Sequence, residues 1–426
     1  MSQNIRDQKR KLFNNFDPTE SLHPDSPFYV DYSSVRLSNE INSLLNNIEY
    51  SDTATHQLII GHRGCGKTTE LYRLQQKLEQ QDYLVVYCEA DKIIDINDVK
   101  YTEVLLTIVQ HLVQYAKNKE INIETNNRAA TLIENLVNSL KTMELSGLEV
   151  DAYFLKLNLE TKSRPDARRE VREALSRTPI NLLEVINQYI EQVKQAVQKE
   201  IVFIVDNLDR VSRELINERG DTTHDALFID AADLLTSIKC HVIYTVPTAL
   251  ALSNNGPKLR DKYTHCCTLP MIPVIFRDNT ANPEAIEKMK EVVQKRVEEA
   301  NYTLEEIFAD LEILNNFCKL SGGDVRTLLS IVRQTLRSSS NILIDKADAE
   351  ATVRDLRDSY TRSFSPNSWD KIAEIYKTKT LTQNQEELKL LDNLSILEYR
   401  DNEGYWYDVN PVLKQHIKFR SLTGIS

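Results

Sequence analysis

Apolar positions fall into two rhythms along the chain. Short continuous runs such as "HQLII", "YLVVYCEAD", "EIVFIVD" and "SIKCHVIYTVP" are rich in β-branched and aromatic residues and predict buried strands. Between them, "TELYRLQQKLEQQ", "TEVLLTIVQHLVQYAKN" and "PINLLEVINQYIEQVKQAVQK" repeat their apolar residues at helical spacing. Strands that alternate with helices predict an α/β fold on a parallel sheet. The polar stretch "RSFSPNSWD", with Pro366, reads as a linker, and beyond it the pattern changes to helices followed by a two-stranded hairpin.

Composition narrows the picture. A chain of 426 residues suits two or three domains. With 41% hydrophobic and 27% charged residues, and no run near the roughly 18–20 apolar residues of a membrane span, it reads as soluble, with no membrane partner. The polar start "MSQNIRDQKRKLFNNF" lacks the apolar core of a signal peptide, so the expected location is the cytoplasm. The six cysteines include no CxxC pair, and reduced thiols are the simple reading. Cys240–His241 and His265–Cys266–Cys267 sit on predicted strands with alternating direction, which disfavours a zinc site. A net charge of −11 repels polyanions overall, so nucleic-acid contact needs a local basic patch.

The most specific chemistry lies in "GHRGCGKT", which fits GxxxxGK[ST] between a predicted strand and a predicted helix. Glycines there let backbone N–H groups wrap phosphate oxygens at the positive end of a helix. The binding set is Gly61, Arg63, Gly64, Cys65, Gly66, Lys67, Thr68 and Thr69, with Lys67 on the β- and γ-phosphates and Thr68 on Mg²⁺. Asp206, closing the run "EIVFIVD", supplies the second group for the metal. Asn207 then stands where many ATPases keep a glutamate, and a neutral amide can orient water but cannot take its proton. Slow hydrolysis of ATP, with Asp209 as the nearby acid, and a nucleotide-gated switch both remain open; a cap or a salt bridge to Arg210 or Arg213 would also explain Asp209.

On these residues the chain resembles AAA+ and STAND P-loop ATPases, and "DNLDR" resembles bacterial KAP-type and STAND proteins, including those of antiviral conflict systems. The resemblance implies that Thr245 is a sensor at a strand tip and that "THCCTLPMIPV" is the fifth strand with a proline motif. In "LSGGDVRTLLSIVRQTL", similar to the lid of replication initiators, it implies that Arg326 senses phosphate. It also implies that Tyr29 and Val30, in "SPFYVDYS", meet the adenine, and it makes Arg260 the candidate arginine finger. A strand-end threonine satisfied by its neighbours, an arginine paired to an acid, and aromatic core packing are the plain alternatives.

The expected organisation is residues 1–50 as a segment packing on the nucleotide site, then 51–280 as the ATPase core with a helical insertion over about 92–200. A helical lid over 281–360 and a C-terminal domain resembling a winged helix over 366–426 complete it. In "RPDARREVREALSR" the arginines Arg164 to Arg177 read best as a solvated helix paired with Glu170 and Glu173. Glu386, Glu387 and Asp392 outnumber Lys389 on the presumed recognition helix, which favours protein contact or self-association over DNA. The expected function is a slowly hydrolysing ATP and Mg²⁺ switch; the rival is a DNA-binding loader.

Overall fold

The computed structural model describes residues 3–36, 39–121, 162–176, 179–339, 341–362 and 364–425. The chain forms two compact units, Ile41–Ile60 with Leu74–Cys267, and Met1–Glu40 with Gly61–Arg73 and Thr268–Ser426.

The first of these is built on a sheet of β1 (His56–Ile60), β2 (Leu84–Glu89), β3 (Ile201–Asp206), β4 (His241–Val246) and β5 (His265–Thr268) in the order β2-β3-β4-β1-β5. The pairs β1–β4, β3–β4 and β2–β3 are parallel. Every residue of β1, β3 and β4 is buried, as continuous apolar runs require when a sheet is covered on both faces. Edge strand β2 alternates instead. Burial of each Val, Ile or Leu in such a strand contributes about 1.5–3 kcal/mol. The register sets Glu89 beside Asp206 at the carboxyl ends of β2 and β3.

Two helices expected in the insertion form at Tyr101–Asn118 and Pro179–Val197, and their apolar faces join the sheet core. Much of the rest of the insertion lies outside the described residues. The arginine run also forms a helix, Pro165–Ser176, in which Arg169 pairs locally with Asp166 and two other arginines reach acids outside the helix. Arg168 pairs with Asp95 and Asp98, and Arg172 with Asp98 and Glu103. Glu103 is buried and also accepts from the backbone N–H of Lys100, so one carboxylate caps one helix and anchors another. Local i,i+4 spacing cannot reveal such partners, because they come from the preceding chain segment.

The second unit holds helices Pro283–Glu299, Leu311–Leu320, Val325–Ser338 and Lys346–Thr361 around one apolar core. The N-terminal helix Gln3–Asn15 packs there through Leu12, and Lys9 donates to the Ser339 carbonyl at 2.7 Å. Helices Pro366–Thr378 and Gln385–Asp392 precede the antiparallel hairpin of β6 (Ile396–Asp401) and β7 (Gly404–Val409). That is the element order the tail pattern predicts. Among the described residues no helix is long and apolar enough to cross a membrane.

Candidate functional site

The chain leaves β1 at Ile60 and enters the loop "GHRGCGKT", which ends in the helix Lys67–Gln80. Gly64 and Gly66 adopt φ of +84° and +93°, left-handed values that suit glycine and let successive N–H groups turn inward. Lys67 is buried and donates to the carbonyls of Gly61 at 2.6 Å and His62 at 2.8 Å. Cys65 is buried, Thr68 and Thr69 are half-buried, and Arg63 is exposed. The loop is thus a shaped backbone cradle with one ammonium folded into it, a donor set that fits phosphate oxygens.

Residues beyond the motif brace this cradle. Arg36 donates to the Cys65 carbonyl and pairs with Glu70 at 3.3 Å, while its guanidinium lies over the Tyr32 ring. Glu70 also holds Arg73 at 2.9 Å, and Arg73 lies over the ring of Tyr29. Tyr29 is half-buried, and burial pushes its phenol far up. Val30 is buried in the lid core.

Helices and the hairpin of the second unit meet the loop within that unit. Gly64 lies so close to Asp324 that a Cβ there would fall 2.0 Å from the carboxylate. Asp324 caps the helix Val325–Ser338, accepting from the Thr327 N–H, and burial raises its pKa. Arg326, half-buried two residues on, forms no ion pair with a described residue, though its charge favours the ionised Asp324. From the hairpin, the backbone N–H of Glu398 donates to His62 Nε2 at 3.1 Å, and the Tyr399 hydroxyl donates to the Gly322 carbonyl at 2.8 Å. Cys65 packs with Leu269, Met271, Leu397, Tyr399 and Trp406.

In the sheet unit, Asp206 closes β3 and accepts from the Tyr87 hydroxyl at 2.8 Å and from the Asn207 N–H at 2.7 Å. Asn207 is left-handed, with φ of +67°, a conformation that asparagine tolerates better than glutamate does. Its amide donates to Asp91 at 2.8 Å. Arg210 donates to the other oxygen of Asp91. Asp209 sits half-buried in the same 3₁₀ turn, Leu208–Arg210. Thr245 is fully buried, and its hydroxyl oxygen accepts from the Leu208 N–H at 2.9 Å. Arg260 is exposed on the helix Gly256–Lys262.

Residues 36–246 match the KAP family P-loop domain. The matched residues span the loop, Asp206 and Thr245. Over the whole chain, solved structures with low similarity include the Walker-type ATPase PABY2304 of Pyrococcus abyssi, 13% identical over 96% of this chain and 100% of that one, TM-score 0.46. Two others are Cdc6p from Pyrobaculum aerophilum, 12% identical over 96% and 97%, TM-score 0.42, and the Aeropyrum pernix ORC1 protein in complex with DNA, 12% identical over 94% and 96%, TM-score 0.39. No curated protein matches the chain.

Sequence reading missed Arg36, His62, Glu70 and Asp91. Glu70 was within reach, since an acid in the first turn of the phosphate helix favours the helix dipole and a basic partner. His62 makes a testable contribution. Burial and the charge of Lys67 lower its pKa from 6.5 to about 3, so folded His62 stays neutral while the unfolded chain takes up a proton below about pH 6.5. Stability present above that pH is therefore lost as pH falls toward about 3. The variant His62→Gln keeps an acceptor for Glu398 and does not titrate. Chemical denaturation at pH 7 and pH 5 is expected to give a smaller loss for the variant than for wild type, and equal losses would remove His62 as the cause.

Proposed function

We propose that the KAP domain binds ATP with Mg²⁺ and hydrolyses it slowly, and that the nucleotide state sets the position of the lid and C-terminal hairpin. The observation that carries this reading is the direct contact of the phosphate loop with both partners, Gly64 packed close against Asp324 and His62 bonded to the backbone of Glu398. A phosphate in the loop would draw Lys67 away from the carbonyls of Gly61 and His62, and His62 is itself the residue bonded to the hairpin. Loop occupancy and hairpin attachment thus share one residue.

In this reading Gly61, Arg63, Gly64, Cys65, Gly66, Lys67, Thr68 and Thr69 hold the phosphates, and Tyr29 faces the base, whereas Val30, buried among apolar side chains, serves packing. Thr68 and Asp206 hold the metal, which would neutralise charge on the phosphates. Thr245 and Arg326 report the γ-phosphate. Asp209 is the acid whose removal separates hydrolysis that needs a carboxylate base from hydrolysis that does not. Residues 366–426 act as a winged helix that engages a protein partner or a second copy, in the cytoplasm. Antiviral defence is the proposed setting on family resemblance alone.

DNA binding stands second. Arg168 and Arg172 are engaged by acids, Glu387 accepts from Thr382, and Glu386 accepts from Ser368, so these charges already serve the fold.

Two measurements test the proposal. Hydrogen exchange at the Glu398 amide is expected to differ between the ATP-bound and ADP-bound protein, since only unequal affinity of the two nucleotides for two positions can drive a switch. Identical exchange in both states would end the switch reading. Single-turnover cleavage of ATP by wild type and Asp209→Asn then tests the enzyme; intact ATP bound to wild type would leave a nucleotide-stabilised scaffold.

A further inference from the structure

Asn207 occupies the position of a missing acid, and its environment assigns it a definite orientation. A carboxylate only accepts hydrogen bonds, so the Asn207 group facing Asp91 is its NH₂ and not its oxygen. Arg210 fixes the other carboxylate oxygen of Asp91, which leaves this acid little freedom to turn. The Asn207 side-chain oxygen has no hydrogen-bond donor among the described residues. It therefore remains available as an acceptor beside Asp206, at the carboxyl end of β3, the edge of a parallel sheet where ligands bind.

We infer that Asp91 and Asn207 act as a pair in place of the absent glutamate, with Asp91 the positioning residue and the Asn207 amide oxygen the group that orients the attacking water. This rests on the proposed hydrolysis. The water oxygen forms a bond to the γ-phosphorus, and the bond from phosphorus to the β,γ-bridging oxygen breaks, its electron pair leaving with ADP. An amide takes no proton, so both water protons stay with the departing phosphate, and ATP⁴⁻ plus water gives ADP³⁻ and dihydrogen phosphate. That ion then loses a proton to solvent. Asp209 is not required as a base, and the absence of a base accounts for slow turnover.

The test is an isosteric pair of changes. In Asp91→Asn the new carbonyl is held by Arg210 and the new NH₂ faces Asn207, whose amide must then turn and present NH₂ to the water. Single-turnover cleavage is expected to fall about 10- to 100-fold with the ATP dissociation constant within about threefold of wild type. Adding Asn207→Asp restores an acceptor on both sides and is expected to recover the rate to wild-type level or above. ATP affinity and thermal melting of each variant, neither of which depends on turnover, separate this loss from misfolding.

A wild-type rate in Asp91→Asn, a loss confined to ATP affinity, or no recovery in the double variant would each overturn the pairing while leaving the proposed ATPase intact. If Asp91→Asn does not fold, Asn207→Ala, which removes the orienting oxygen and leaves Asp91 with Arg210, must lower the rate to the same degree; an unchanged rate overturns the inference. Wild type that binds ATP and never cleaves it overturns both readings together.

Discussion

Gly323→Ala is expected to cost about 3 kcal/mol or more of stability, the largest effect of any single methyl group added to the lid. Gly323 has φ of +81°, and a Cβ there would lie 1.8 Å from the carbonyl oxygen of Ile272. That neighbour is backbone, fixed in the apolar core of the second unit, and cannot step aside as a side-chain tip can. Gly322→Ala is the control. Its φ is +63°, but the nearest atom is the end of Leu397 at 2.5 Å, so its expected cost is about 1–2 kcal/mol, mostly from the left-handed backbone. Chemical denaturation of both variants checks the pair. Equal losses would mean that the φ cost dominates and that the approach to Ile272 relaxes freely.

Lys67→Ala is expected to weaken ATP binding about 100-fold, or about 2.7 kcal/mol, while the nucleotide-free protein keeps its fold. The ammonium donates to the carbonyls of Gly61 and His62 from within the loop. Its loss removes the group that would meet the phosphates and leaves the brace of Arg36 and Glu70 in place. Titration with a fluorescent ATP analogue, beside a melting curve, makes the measurement. Affinity within threefold of wild type would mean that the loop does not hold phosphate, and the proposed function would go with it.

The sheet and the loop were legible because their signals are local. Fully buried parallel strands have to be apolar at every position, as β1 and β3 are, and the loop needs glycine where φ is positive. The KAP resemblance rested on "DNLDR" and is met by the match over residues 36–246. What stayed hidden depends on contacts distant in sequence. Nothing near Arg36 announces that it reaches the Cys65 carbonyl, and Asp91 looks like one more acid at a helix start. Asn207 was conspicuous as a departure, yet its reason is backbone geometry, φ of +67°, together with an amide bond to Asp91 across 116 positions. The acids on the helix Gln385–Asp392 were visible, but their engagement by Ser368 and Thr382 was not.

The bond between His62 and Glu398 spans 336 positions. During synthesis the phosphate loop therefore emerges 336 positions ahead of the strand residue that bonds to it. A nascent chain would carry an unbraced loop until that strand has emerged, so that nucleotide responsiveness is acquired only then and a product terminated before the strand lacks it.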